Sequence, residues 1–153
     1  MVIVVVSCLT LFAVTTLIHY EVLRGLQITL PNLQIPVRTK LLVVIFGAFF
    51  AHIAEIGLYA AVLFVLTSYA DIGHIAGQSA TRFLDCIYFS AETYTSLGMG
   101  DIAPSGPVRL FAGVESLNGL LLIAWSASFT YLSMEKFWAP GAGDPARDER
   151  PRR

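Results

Sequence analysis

The sequence predicts an all-α membrane protein with three transmembrane helices and one shorter, re-entrant helix in each chain. Hydrophobic residues make up 56% of the 153 residues and charged residues only 14%, against about 25% charged in ordinary soluble domains. The mean hydropathy is +0.68. A spanning helix needs roughly 20 apolar residues to cross about 30 Å of hydrocarbon, and three stretches meet this length, namely 2–23, 41–69 and 108–138.

A fourth apolar stretch, at 83–94, is too short to span and is expected to be re-entrant, interfacial or buried. Pro31 and Pro36 argue against a regular helix between the first two spans and favour an extended strap. The predicted division is therefore an N-terminal helix, a connecting loop, a helix–loop–helix module and a disordered tail rich in Pro, Gly and mixed charge, at 1–23, 24–40, 41–138 and 139–153.

Lysine and arginine residues are unevenly distributed between the predicted loops. The connection at 24–40 carries three and the C-terminal tail four, whereas 70–107 carries only Arg82. Because basic residues favour the cytoplasmic side, we expect the N-terminus outside the cell and the connection and C-terminus inside. The net charge of -1 gives no reason to expect a nucleic-acid partner.

The most informative segment lies between the second and third spans. Backbone polar groups cannot face lipid unpaired, so a non-helical stretch at membrane depth must line a cavity or lie inside protein. Here a helix-compatible run at 84–94 gives way to 95–101, where Gly98 and Gly100 alternate with residues that carry side chains. Glycine permits backbone angles closed to other residues. Such alternation can turn successive carbonyl oxygens in one direction, which would suit a dehydrated cation.

The stretch Ser90-Ala91-Glu92-Thr93-Tyr94-Thr95-Ser96-Leu97-Gly98-Met99-Gly100-Asp101 resembles the pore helix and filter of potassium channels, which read TVGYG followed by Asp. The resemblance covers about 41–138, as an outer helix, pore helix, filter and inner helix. It implies a homotetramer in a bilayer, in the style of bacterial channels of the inner membrane. It also implies potassium as the permeant ion and no cofactor.

The resemblance also implies roles for individual residues. Carbonyl oxygens would come from Ser96, Leu97, Gly98 and Met99, with Gly100 at the outer mouth. Filter support would come from Glu92 and Asp101, which match an acidic pair behind the filter, and from Thr95 and Tyr88. Tyr88 and Phe89 match the aromatic cuff of the pore helix. In the inner helix, Gly119 matches the hinge glycine, Asn118 is a candidate for the cavity wall, and Ile123 stands where inward rectifiers carry an acid.

Two filter positions depart from the family pattern. Leu97 replaces the usual Val or Ile, which matters little if only its carbonyl faces the ion. Met99 replaces the usual Tyr or Phe, so an aromatic anchor is lost. A potassium channel is the leading hypothesis, and a weakly selective monovalent cation channel is the first alternative. A non-conducting channel-like subunit or sensor is the second.

Other polar residues within the apolar stretches allow more than one interpretation. His52 and Glu55 share a helix face. They either bond each other or a neighbouring helix and stabilise packing, or serve an intramembrane enzyme. No third ligand stands at a recognisable spacing, so we predict no side-chain metal site and no enzyme. Glu115 either lines the cavity or bonds behind the pore helix. Cys8 and Cys86 are expected to be reduced, buried thiols.

Overall fold

The computed structural model describes residues 1–70, 72–77 and 83–138. Three long helices, α1 (Val2–Asn32), α2 (Val37–Ser68) and α4 (Val108–Trp138), accompany the short helix α3 (Phe83–Tyr94). Each long helix is long and apolar enough to cross a membrane. The predicted class is confirmed: this is an all-α, multi-pass membrane protein.

The four helices pack around one another with α1 against α2 and α4, and with α3 against α2 and α4. The core holds aromatic and aliphatic side chains from all four helices, among them Leu11, Tyr59, Leu63, Phe89 and Phe111. Other large apolar side chains point outward, including Phe46, Phe49 and Phe50 on α2. A helix that is apolar all round needs a membrane or a protein core as its surroundings. The outward faces of these helices therefore suit lipid or neighbouring chains.

A short antiparallel pair joins the segments on either side of α3. Strand β1 (His74–Ala76) pairs with β2 (Ala103–Ser105), and Ile75 lies opposite Pro104. The Ser105 hydroxyl adds a hydrogen bond of 3.0 Å to the carbonyl of His74. This pair ties the chain that leaves the filter loop to the chain that follows α2, and the sequence pattern gave no sign of it.

The predicted loop at 24–40 is wrong. Helix α1 continues to Asn32 with Pro31 inside its final turn, and α2 begins at Val37, so only residues 33–36 connect the two helices. Proline disrupts a helix through its missing N–H and its clash with the preceding turn, and α1 ends one residue after Pro31. The predicted disordered tail, 139–153, lies outside the described residues.

Candidate ion-conduction site

Helix α3 turns two different faces to its surroundings. Cys86, Phe89 and Tyr94 are buried against the neighbouring helices, whereas the Tyr88 side chain is exposed. Burial raises the pKa of the Cys86 thiol, which therefore stays protonated, and both cysteines are free and buried. The helix ends at Tyr94. The next residue, Thr95, bonds back to the carbonyl of Ala91 through its N–H and, at 2.8 Å, through its hydroxyl.

The loop after α3 has an alternating backbone. Ser96, Gly98 and Gly100 have φ values of 59°, 55° and 81°, while Leu97 and Met99 between them keep the ordinary negative sign. Positive φ is open to glycine but uncommon for other residues. A Cβ built on Gly98 or Gly100 would meet nothing within 4 Å. Backbone angle, and not lack of space, is therefore the reason for glycine at these two positions.

Glu92 holds this loop through both its backbone and its side chain. Its carbonyl accepts the N–H of Leu97 at 2.8 Å and that of Gly98 at 3.3 Å. Its carboxylate oxygen Oε2 accepts the N–H of Met99 at 3.1 Å. Three successive filter N–H groups therefore point at one residue of the pore helix, and Glu92 itself is buried.

The predicted pairing of Glu92 with Asp101 is absent from the part of the chain that the structure describes. Glu92 binds the Met99 N–H, and Asp101 instead accepts the Tyr88 hydroxyl at 3.4 Å. Each carboxylate has a different partner, so nothing brings the two together to share a proton. Both residues nevertheless lie beside the loop, as the resemblance implied.

Asn118 and Ile123 of α4, both predicted to line the cavity, differ in burial. Asn118 is a correction to the prediction of a cavity wall, because its side chain is buried and donates to Thr15 Oγ1 at 2.7 Å and to the Tyr59 hydroxyl at 3.0 Å. Its amide nitrogen joins α4 to α1 and α2, whereas its Oδ1 has no hydrogen-bond partner among the described residues. Ile123 is partly exposed, on a different part of the α4 surface. It remains a candidate for the cavity wall.

The end of α3 and the start of the loop that follows it both contact α4. The Ser96 and Ser116 hydroxyl oxygens lie 2.7 Å apart, within hydrogen-bond distance. Gly119 packs against the end of α3 so closely that an added Cβ would lie 2.1 Å from the Tyr94 carbonyl oxygen. Helix α4 runs without a break through Gly119. Close packing therefore gives this glycine a structural reason, while its role as a gate hinge stays a prediction.

Glu115 adopts the second of its two expected arrangements. Its buried carboxylate accepts a short hydrogen bond from the Ser90 hydroxyl of α3. The contact lies behind the pore helix, so Glu115 fastens α3 to α4.

His52 and Glu55 belong to a larger polar cluster than the sequence indicated. Glu55 accepts or shares hydrogen bonds with His52 at 3.2 Å, with the Tyr94 hydroxyl, and with His19 of α1 at 2.9 Å. The Tyr94 hydroxyl is the donor in its bond to the Glu55 carboxylate. The sequence analysis missed His19 because 36 residues separate it from Glu55 and only helix packing joins them.

A cavity of about 220 Å³ lies between α3 and the filter loop. Six residues line it: Tyr88, Ala91, Glu92, Thr95, Leu97 and Met99. Phe89, the other residue expected in the aromatic cuff, lies in the core on the opposite face of α3. Only Tyr88 of that pair therefore borders the filter.

This arrangement, a short helix that ends in a glycine-alternating loop between two spanning helices, is that of an ion-channel pore. Residues 39–135 match the model of a family described as ion channel. The chain therefore belongs to the potassium-channel pore-domain family of ion channels. Helix α1, which supplies His19, lies outside the matched residues.

Two curated relatives support this assignment. The chain is 32% identical over 104 residues to the inward rectifier potassium channel Kirbac3.1 of Paramagnetospirillum magnetotacticum, which covers 67% of this chain and 34% of that protein. It is 34% identical over 61 residues to two pore potassium channel a of Oryza sativa subsp. japonica, which covers 39% of this chain and 18% of that protein. The chain thus spans about a third or less of each relative's length. No solved structure matches it significantly.

Proposed function

We propose that four copies of this chain form a channel that conducts potassium passively across the membrane, with residues 96–100 as the selectivity filter. The observation that carries the proposal is the alternation of backbone angle at Ser96, Gly98 and Gly100. That alternation can aim carbonyl oxygens at one axis, where they replace the hydration shell of the ion. One chain supplies one loop, so a closed ring needs further copies.

The way the loop is held supports the same proposal. Glu92 binds the N–H groups of Leu97, Gly98 and Met99 on the side that faces α3. With those donors directed away from the axis, the carbonyl oxygens are left for the ion. Leu97 and Met99 are exposed in the single chain, and in a tetramer the neighbouring copies would cover them.

The side chains of the loops suggest the orientation. We place the 33–36 link and the C-terminus in the cytoplasm of a bacterial cell, because Arg24, Arg38 and Lys40 flank that link. The filter loop then opens outward. Ions would pass from the outer mouth at Gly100 to the inner mouth at Ser96, or in reverse, down their gradient.

Flux through liposomes tests the proposal. The purified chain is reconstituted, and ion uptake is followed first under a potassium gradient and then under an equal sodium gradient. Potassium flux that exceeds sodium flux is expected, with loss of both in Gly98→Ala, because alanine opposes a φ of 55°. Gly113→Ala is the matched control, since an added Cβ there meets nothing within 4 Å.

A weakly selective cation channel is the second candidate, and Met99 is the residue that favours it. The other outcomes of the flux experiment separate the alternatives. Equal potassium and sodium flux supports the weakly selective channel. Absence of flux from a properly assembled protein contradicts both and leaves a non-conducting subunit.

A further inference from the structure

Two helices bring three side chains with metal-ligating atoms to one place. His19 comes from α1 and His52 and Glu55 from α2, and their ligand atoms all lie within 4.8 Å of one another. His19 Nδ1 is 2.9 Å from Glu55 Oε1, and His52 Nδ1 is 3.2 Å from Glu55 Oε2. Tetrahedral zinc at about 2.0–2.2 Å from each ligand keeps its ligand atoms roughly 3.3 Å apart. These two separations, each to a different oxygen of the Glu55 carboxylate, are close to that value.

The cluster is buried inside the membrane-spanning part of the protein. The His19 and Glu55 side chains are 0% exposed, and that of His52 is 17% exposed. Ionisable groups at this depth are costly and mark functional positions by default. His52 is the one side chain of the three that is partly exposed.

Ser126 of α4 limits how the two histidines can be protonated. Its Oγ lies 3.1 Å from His52 Nε2 and 3.1 Å from His19 Nε2. A hydroxyl has one proton to donate, so at least one ring must donate its own Nε2–H to Ser126. A neutral imidazole carries one N–H. That ring therefore turns a bare Nδ1 lone pair toward the Glu55 carboxylate.

Two electron-rich groups that face each other in a low-dielectric interior repel, and a cation between them removes the repulsion. A proton can lie in only one contact between an Nδ1 atom and the carboxylate, whereas a metal ion can bind His19, His52 and Glu55 together. Ser126 can accept an Nε2–H from both rings, because a hydroxyl oxygen has two lone pairs. Both Nδ1 atoms are then free for the metal, and the outer nitrogens are held as in many zinc sites.

We propose that His19 Nδ1, His52 Nδ1 and a Glu55 carboxylate oxygen form a binding site for a divalent transition-metal ion of the zinc type. Two histidines and one glutamate form a ligand set that binds zinc in other proteins. The Tyr94 hydroxyl lies 2.9 Å from His52 Nδ1 and donates to Glu55, so it borders the site. The site joins α1 to α2 and to the end of the pore helix, directly before the filter loop.

Metal binding by the full-length chain in detergent tests this proposal. After treatment with a chelator and dialysis, the protein is titrated with Zn²⁺, and the metal retained per chain and the unfolding temperature are measured. We expect one Zn²⁺ per chain and a saturable rise in unfolding temperature. Mg²⁺ should produce neither effect, because it prefers all-oxygen sites.

Variants on two helices identify the ligands. His19→Asn and His52→Asn keep a polar atom near the position of Nδ1 but remove the imidazole, and each should weaken Zn²⁺ binding by at least ~100-fold. Ser126→Ala should weaken it by about 10–100-fold, as loss of an outer partner does. His74→Ala is the matched control, since His74 is exposed on β1, and it should bind as the wild type does.

The wild-type stoichiometry stands even if one of the histidine variants does not assemble, and the other variant then supplies the test. Wild-type protein that retains no Zn²⁺ would overturn the proposal. So would equal binding by wild type, His19→Asn and His52→Asn. If the unfolding temperature of the wild type depends on pH through these histidines but the protein holds no metal, a proton and not a metal ion lies between the imidazoles and Glu55.

Discussion

Gly119 shows how closely the inner helix approaches the pore helix. A Cβ there would lie 2.1 Å from the Tyr94 carbonyl oxygen and 2.8 Å from its carbon, which are backbone atoms that cannot rotate away. The carbonyl belongs to the last residue of α3, one position before the loop begins. The space at Gly119 therefore fixes the distance between α4 and the foot of the filter.

Gly119→Ala should destabilise the chain because the added methyl group separates α4 from α3. We expect a loss of about 1–3 kcal/mol, as in other overpacked interiors, measured by thermal or denaturant unfolding in detergent. Gly113→Ala lies on the same helix with open space and should be neutral or stabilising by up to about 1 kcal/mol. Equal stability of the two variants would contradict the close contact. A fully stable Gly119→Ala with reduced open probability would instead favour the hinge.

Met99 tests whether an anchor behind the filter contributes to selectivity. Met is flexible, and its sulfur is at best a weak acceptor, so it cannot tether the backbone as a tyrosine hydroxyl can. The cavity of about 220 Å³ beside it offers room for a ring. Met99→Tyr should therefore raise the preference for potassium over sodium, with about tenfold for each 1.4 kcal/mol gained.

Reversal potentials under bi-ionic conditions measure that preference. Met99→Leu is the matched control, because it fills similar volume without a hydrogen-bonding group. If a properly assembled Met99→Tyr has the same permeability ratio as the wild type, the side chain at this position does not limit selectivity.

Among the elements, α3 holds the loop that we propose as the filter mainly through Glu92. The buried carboxylate accepts the Met99 N–H at 3.1 Å, while the Glu92 carbonyl serves Leu97 and Gly98. The side chain therefore restrains the outer half of the loop and the backbone the inner half. A substitution at Glu92 affects only the first of these.

Glu92→Ala should leave the Met99 N–H without an acceptor, which costs about 1–3 kcal/mol when the group stays buried. We expect faster current decay or a changed open probability in single-channel recordings, with tetramer assembly intact. Glu92→Gln keeps a carbonyl oxygen at the same position and should behave much more like the wild type. Gating kinetics that are identical in Glu92→Ala and the wild type would remove this hydrogen bond from the mechanism.

Local signals explain which elements the sequence could predict. The bounds of α3 and α4 follow from apolar length and from the glycine-alternating loop between them. The end of α1 was expected too early, because the apolar stretch stops near Leu23, whereas the helix continues through mixed polar and apolar residues to Asn32, one residue after Pro31. The β1–β2 pair is too short to leave a pattern.

Side-chain partners across helices were harder to predict than the helices themselves. The glycines at 98 and 100 did indicate the alternating backbone of the loop, because glycine adopts positive φ readily and other residues rarely do. Asn118 could have faced a cavity or a neighbouring helix, and its bonds to Thr15 and Tyr59 come from α1 and α2. His19 and Ser126 join Glu55 and His52 only through packing. Spacing along the chain carries no record of such contacts.

For the whole molecule, the proposed function requires four chains that bind the same ions. Carbonyl oxygens from four loops around one axis would bind potassium only in the assembled state. A ligand that binds only the assembled state stabilises that state by mass action. Helix α1 packs against α2 and α4 and so adds contacts within each chain.

The central claim is that residues 96–100 of four chains bind potassium, and the ion dependence of oligomer stability tests it most directly. The measurement is the temperature at which the detergent-solubilised oligomer dissociates, while KCl replaces NaCl at constant ionic strength. We expect a tetramer whose dissociation temperature rises with potassium, with no such rise in Gly98→Ala and a normal rise in Gly113→Ala. An oligomer of another size, or one equally stable in potassium and sodium, would contradict it.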